Sequence, residues 1–72
     1  MASHGAGEAA LEGCVERLPE DSRRLLNLRY EQSLELEQIA GVIGSSMGAV
    51  HKALARIRAR LRECVEAKLA AR

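Results

Sequence analysis

Apolar residues recur along this chain at intervals of three and four, in four separate runs, and that period predicts helices. In the first run Leu11, Cys14, Val15 and Leu18 form one stripe, predicting a helix from about Gly7 to Leu18. Pro19 closes it, because the residue before a proline is pushed out of the α region. The same proline suits the first position of a second helix reaching about Glu31, with Glu20 and Asp21 at the positive end of its dipole. Leu25 and Leu28 point inward there, with Leu26 and Tyr30 to one side. After a link at Gln32-Ser33-Leu34, whose conformation no proline or glycine dictates, Leu36, Ile39, Ala40 and Ile43 share a face of a short third helix, about Glu35 to Ile43. A fourth runs from Met47 to at least Val65 on the stripe Val50, Leu54, Ile57, Leu61 and Val65. The fold class is therefore all-α, a four-helix domain over residues 7–68. Residues 1–6 read as a disordered end or linker remnant, and 69–72 as a frayed terminus.

The junction between the third and fourth helices organises the rest. Gly44 can take a positive φ without steric cost and stop one helix, and Ser46 can cap the next. Ala40 is small enough to let two helix backbones cross closely. Two helices joined across Gly44-Ser45-Ser46 make a helix-turn-helix, of the winged-helix-like superfamily but without a wing, whose long last helix is the recognition helix. Advancing about 100° per residue, the side opposite the Val50–Val65 stripe carries Gly48, Lys52, Ala55 and Arg56, flanked by His51 and Ala49. Small residues let a helix sit deep in a groove, and long cationic ones reach base edges and phosphates. Ser46, Gly48, His51, Lys52, Ala55 and Arg56 are thus the candidate DNA-contacting residues. Arg58, Arg60 and Arg62 lie further along, as candidate phosphate contacts or solvent-facing charges.

Charge supports that picture once the chain is divided. The net charge of the 72 residues is only +1. Residues 1–37 hold four arginines against eight acids, a net −4, whereas residues 38–72 hold seven lysines and arginines against two acids, a net +5. No acid occurs between Glu37 and Glu63, so the excess positive charge falls on the helix-turn-helix, as expected of a polyanion binder. Tyr30 is the only aromatic residue, leaving an aliphatic core, and a domain this short buries only about 60% of its unfolded surface. No apolar run is long enough to span a membrane and the N-terminus is no signal peptide, so a cytoplasmic location is expected. Cys14 and Cys64 lack metal-ligand spacing, are too few for a disulfide framework, and both sit at apolar helical positions. They read as buried free thiols, and the sequence does not say whether they approach one another. No catalytic constellation, cofactor motif or metal site is present. His51 reads as a surface residue of the DNA-facing helix.

The order Leu18-Pro19-Glu20, Leu28-Arg29-Tyr30, Leu34-x-Leu36-Glu37-Gln38-Ile39-Ala40, Ile43-Gly44-x-Ser46-x-Gly48-x-Val50 and Leu54-x-Arg56-x-Arg58-x-Arg60-Leu61 resembles region 4 of bacterial RNA polymerase sigma factors, of the small extracytoplasmic-function type. The resemblance runs without a gap over about residues 10–66. It implies binding to the −35 promoter element through the recognition helix, docking on the flap of the polymerase β subunit, and masking by an anti-sigma factor in many members. Its DNA-contacting positions fall on His51, Lys52, Ala55 and Arg56, with Ser46 and Gly48 at the helix start. The chain departs from the family where Ala49 stands for Thr, Ala53 for Arg and Ala55 for an aromatic residue or His. Ser45 replaces an aliphatic residue, and Glu35 replaces a capping Ser or Thr. Few direct base contacts are expected in consequence. A monomeric, excised C-terminal domain is the expected form, with a stand-alone region-4-like protein as the rival. A response-regulator effector domain and a helical protein-interaction module are the other readings the residues leave open.

Overall fold

A computed structural model describes residues 6–70, with side-chain surroundings from Ala9 onward; the expectations for residues 1–5, 71 and 72 fall outside the described residues. Four α-helices follow one another, α1 (Ala6–Glu16), α2 (Glu20–Leu26), α3 (Leu36–Ile43) and α4 (Met47–Ala70), and no strand occurs among the described residues. Helix α1 tightens as it ends: the N–H groups of Arg17 and Leu18 donate to the carbonyls of Cys14 and Val15, three residues back, at 3.1 and 3.0 Å. Pro19 lies one residue outside α2, at φ −58° and ψ 156°, and its carbonyl accepts the Arg23 N–H at 3.1 Å.

The second helix does not stay regular to Glu31. It widens at Asn27 into a π-helical turn, Asn27–Glu31, in which Gln32 N–H reaches back five residues to the Asn27 carbonyl at 3.0 Å. The extra residue in that turn bends the chain toward α3 while leaving Leu28 in the core. The link beyond it is ordered by features with no simple sequence signal. Ser33 adopts φ 56°, Leu34 N–H donates to the Leu28 carbonyl at 3.0 Å, and Arg29 Nη1 donates to the Leu34 carbonyl at 2.8 Å.

Helix α3 begins after Glu35, whose N–H donates to Gln38 Oε1 at 2.8 Å, the return half of a capping box. It stops at Gly44, in the left-handed region at φ 72° and ψ 40°, where the Ser45 N–H folds back to the Ala40 carbonyl at 2.9 Å. Ser46 caps α4 as expected, its hydroxyl accepting the Ala49 N–H at 3.1 Å. Helix α4 then continues past Val65 to Ala70.

The core sits where the π turn, α3 and the first half of α4 meet. Leu28, Ile39, Ala40, Val50 and Leu54 are buried together, ringed by the half-buried Leu25, Leu26, Leu34, Leu36 and Ile43. Burying one such aliphatic side chain contributes about 1.5–3 kcal/mol. Ala40 is the small residue at the crossing of α3 with α4. Helix α1 packs instead along α4, burying Ala10, Cys14 and Leu18; the α4 stripe ends its burial at Ile57, and Leu61 and Val65 are only half-buried. Leu11, expected to face inward, is 42% exposed. The reading of two free thiols is overturned here. Cys14 and Cys64 form a disulfide, with Cα atoms 6.0 Å apart. The packing of α1 on α4 brings together two apolar positions 50 residues apart, an adjacency that spacing along the chain does not reveal.

Candidate nucleic-acid interface

The recognition end of α4 owes its position to three local choices. Gly44 stops α3, Ser46 starts α4, and the burial of Val50 and Leu54 fixes which side of the new helix faces inward. Everything on the other side is thereby presented to solvent. Ser46, Gly48, His51, Lys52, Ala55 and Arg56 are all exposed, as are Met47 and Ala49, while Ala53 is half-buried. The six candidate DNA-contacting residues thus share one protruding surface over the first turns of α4.

Two of its features come from residue size. A Cβ built on Gly41 meets no atom within 4 Å, and one on Gly48 meets only Ser46 Oγ, at 4.0 Å. Packing within the domain therefore requires neither glycine, although each costs about 1 kcal/mol in a helix relative to alanine. Together with Gly44, Ser45 and Ser46 they form a shelf of small residues around the turn, interrupted by the exposed side chains of Val42 and Met47. Beside that shelf stands a row of cations. Lys52 and Arg56 lie four apart, one above the other on the helix and opposite the buried stripe, while Arg60, one turn further on, has drifted toward α1 and lines a surface depression with Arg17 and Cys64.

The remaining arginines do not share that surface. Arg58 donates from Nη1 to the Tyr30 hydroxyl oxygen at 3.3 Å, so it leans toward α2 and away from the recognition end. Together with Leu11, Val15, Leu26, Tyr30 and Leu61 it lines an apolar groove of about 590 Å³ between α1, the α2–π segment and α4. Arg62 is exposed beyond the row. The reading of the residues passed over Arg29, the bond to Tyr30 and the groove.

Among the described residues no group of three His, Cys, Asp or Glu side chains could hold a metal ion, and no helix is long and apolar enough to cross a membrane. Residues 8–61 match the family model described as "Sigma-70, region 4". The chain belongs to the sigma-70 region 4 family. A probable RNA polymerase sigma factor, RfaY, of Xanthomonas campestris pv. campestris is 44% identical over 54 residues, a match covering 75% of this chain and 13% of that protein. No solved structure matches the chain. The region 4 match spans α1, the helix-turn-helix and α4 as far as Leu61, and so holds every candidate DNA-contacting residue; Arg62 and Cys64 lie beyond it. Membership makes this a DNA-binding transcription domain and not an enzyme, and places the helix-turn-helix among sigma factors instead of response-regulator effectors.

Proposed function

We propose that this region 4 domain reads the −35 promoter element for an extracytoplasmic-function sigma factor, working as a monomer in the bacterial cytoplasm. One observation carries the reading: the exposed start of α4 joins a shelf of mostly small residues to a cationic row in a stretch with no acid between Glu37 and Glu63. Gly48 and Ala55 let the helix descend into the major groove, His51 and Arg56 reach base edges, and Lys52 and Arg60 meet phosphates. Arg62 is a further phosphate contact. Arg58, engaged with Tyr30, contributes less. The apolar groove at Leu11, Val15, Leu26, Tyr30 and Leu61 suits an apolar helix or loop end, which supports docking on the polymerase β flap or capture by an anti-sigma factor.

Fluorescence anisotropy with a labelled −35 duplex tests the assignment. Binding weakens steeply as salt rises, and removing one phosphate contact through Lys52→Ala lowers the slope of log K against log salt by about 0.9. Arg56→Ala costs about 1–3 kcal/mol and relaxes preference at one base pair. Unchanged binding by both variants would place the DNA on another face. Tight binding to the β flap without any salt-dependent DNA binding would point to a protein-interaction module.

A further inference from the structure

The Cys14–Cys64 bond joins α1 to α4 outside the helix-turn-helix core, and its two residues differ in exposure. Cys14 is 2% exposed, whereas Cys64 is half-buried and lines an open surface depression with Arg17, Arg60, Glu63, Ala67 and Lys68. Three cations against one carboxylate make that depression attractive to anions. In the compartment assigned above, thiols are kept reduced, and disulfides that form there are mostly transient and redox-sensing. Cys64 also lies beyond the residues that match the family model, which end at Leu61.

We propose that Cys64 is a thiol-exchange site for a low-molecular-weight anionic thiol, and that exchange there releases α1 and reshapes the apolar groove while the DNA-reading end stays folded. This compartmental argument rests on the sigma-factor reading; the exchange chemistry does not. The incoming thiolate attacks Cys64 Sγ, the Cys14–Cys64 bond breaks, and Cys14 leaves as a thiolate that takes up a proton. A second thiol then attacks the mixed disulfide at the small molecule's sulfur. Cys64 departs as a thiolate and is protonated. The balance is one protein disulfide and two thiols giving two cysteine thiols and one small-molecule disulfide, with two electrons and two protons passing to the protein. The consequence follows from the packing. Leu11 and Val15 on α1 form one wall of the groove whose other wall is Leu26, Tyr30 and Leu61. The buried cluster of Leu28, Ile39, Ala40, Val50 and Leu54 contains no residue of α1.

Glutathione is the probe. The purified chain is equilibrated with reduced and oxidised glutathione at graded ratios, free thiols are counted by maleimide mass shift, and amide hydrogen exchange is followed by region. Reduced chain should lose protection at least tenfold more in α1 and in α4 beyond Ile57 than in α3 and Met47–Leu54. The double variant Cys14→Ser/Cys64→Ser should show that same profile whatever the redox state. Brief exposure of the intact disulfide-bonded chain to reduced glutathione, acid quench and peptide mapping should place the trapped adduct on Cys64 at least tenfold more often than on Cys14. Arg17→Glu/Lys68→Glu should slow reduction by glutathione severalfold but not reduction by neutral β-mercaptoethanol. A bond that resists millimolar glutathione in the native state, faster attack at Cys14, or loss of protection spread evenly through α3 overturns the proposal. Anisotropy with the −35 duplex separates the two readings. Redox-dependent exchange in a chain that binds no DNA sinks the promoter assignment alone, and redox-inert DNA binding sinks the exchange site alone.

Discussion

The two halves of α4 are held in place by different physics. The first, Met47 to Leu54, is pinned by an aliphatic cluster drawn from the π turn and α3, with Ile39 fully buried and Val50 and Leu54 each 1% exposed. The second, from Ile57 to Ala70, is covered on one side by α1, keeps Leu61 and Val65 half in water, and is closed by a covalent bond. The end that carries Ser46, Gly48, His51 and Lys52 therefore rests on the best-packed part of the molecule. The end that carries the groove rests on sparse packing and one disulfide. Rigidity has been placed under the surface that must present side chains at fixed geometry, and adjustability beside the surface with an apolar opening.

Breaking the first half should have the largest effect. Leu54→Ala removes a buried side chain from the centre of the cluster and should cost about 2–5 kcal/mol, a large share of the stability of a domain this small. Chemical denaturation followed by circular dichroism checks it, and Leu61→Ala, at the half-buried end, should cost clearly less. Reducing the disulfide comes next. A closed loop spanning 50 residues restricts the unfolded chain enough that its loss should cost roughly 2–4 kcal/mol, seen as a lower melting temperature in reductant. If reduction left the melting temperature unchanged, the covalent bond would add nothing to the packing of α1. Gly48→Ala sharpens the contrast between packing and function. It should stabilise the fold by up to about 1 kcal/mol, because helix propensity improves and the new Cβ has room, yet weaken binding to a −35 duplex. Stabilisation without weaker binding would remove the shelf from the interface. Smallest is Ser33→Gly, which relieves a left-handed φ of 56° at the link and should raise stability by roughly 0.5 kcal/mol.

How legible these features were in the residues depended on their range along the chain. The four helices, the turn at Gly44 and the cap at Ser46 were readable because each follows from neighbours within a few positions. So was the burial of Val50, Leu54 and Ile57, set by the helical repeat. The π turn was not, because one extra residue per turn leaves the spacing of Leu25 and Leu28 compatible with an ordinary helix. The roles of Arg29 and Tyr30 were hidden for a related reason: one side chain satisfies a carbonyl five residues on, the other meets an arginine 28 residues on. The disulfide was misread because its partners are adjacent only after α1 has packed on α4. At the candidate DNA-contacting surface, the outward position of Ser46, Gly48, His51, Lys52, Ala55 and Arg56 followed from periodicity, but the engagement of Arg58 with Tyr30 needed the placement of the π turn.

Helix α4 is a single unbroken shaft of 24 residues shared by the candidate DNA-contacting surface and one wall of the groove. Its length sets not only how far apart these two surfaces lie but also their angular phase. One alanine inserted after Ala59 would swing the distal half by about 100° relative to the recognition end, carrying Leu61 away from Tyr30 and Cys64 away from Cys14. Seven inserted residues would restore the phase to within about 20° while moving the distal surface roughly 10 Å further along the axis. The stretch between Arg56 and Leu61 therefore fixes both the angle and the distance between the two surfaces, and neither one inserted residue nor seven would leave Leu61 beside Tyr30 and Cys64 on Cys14.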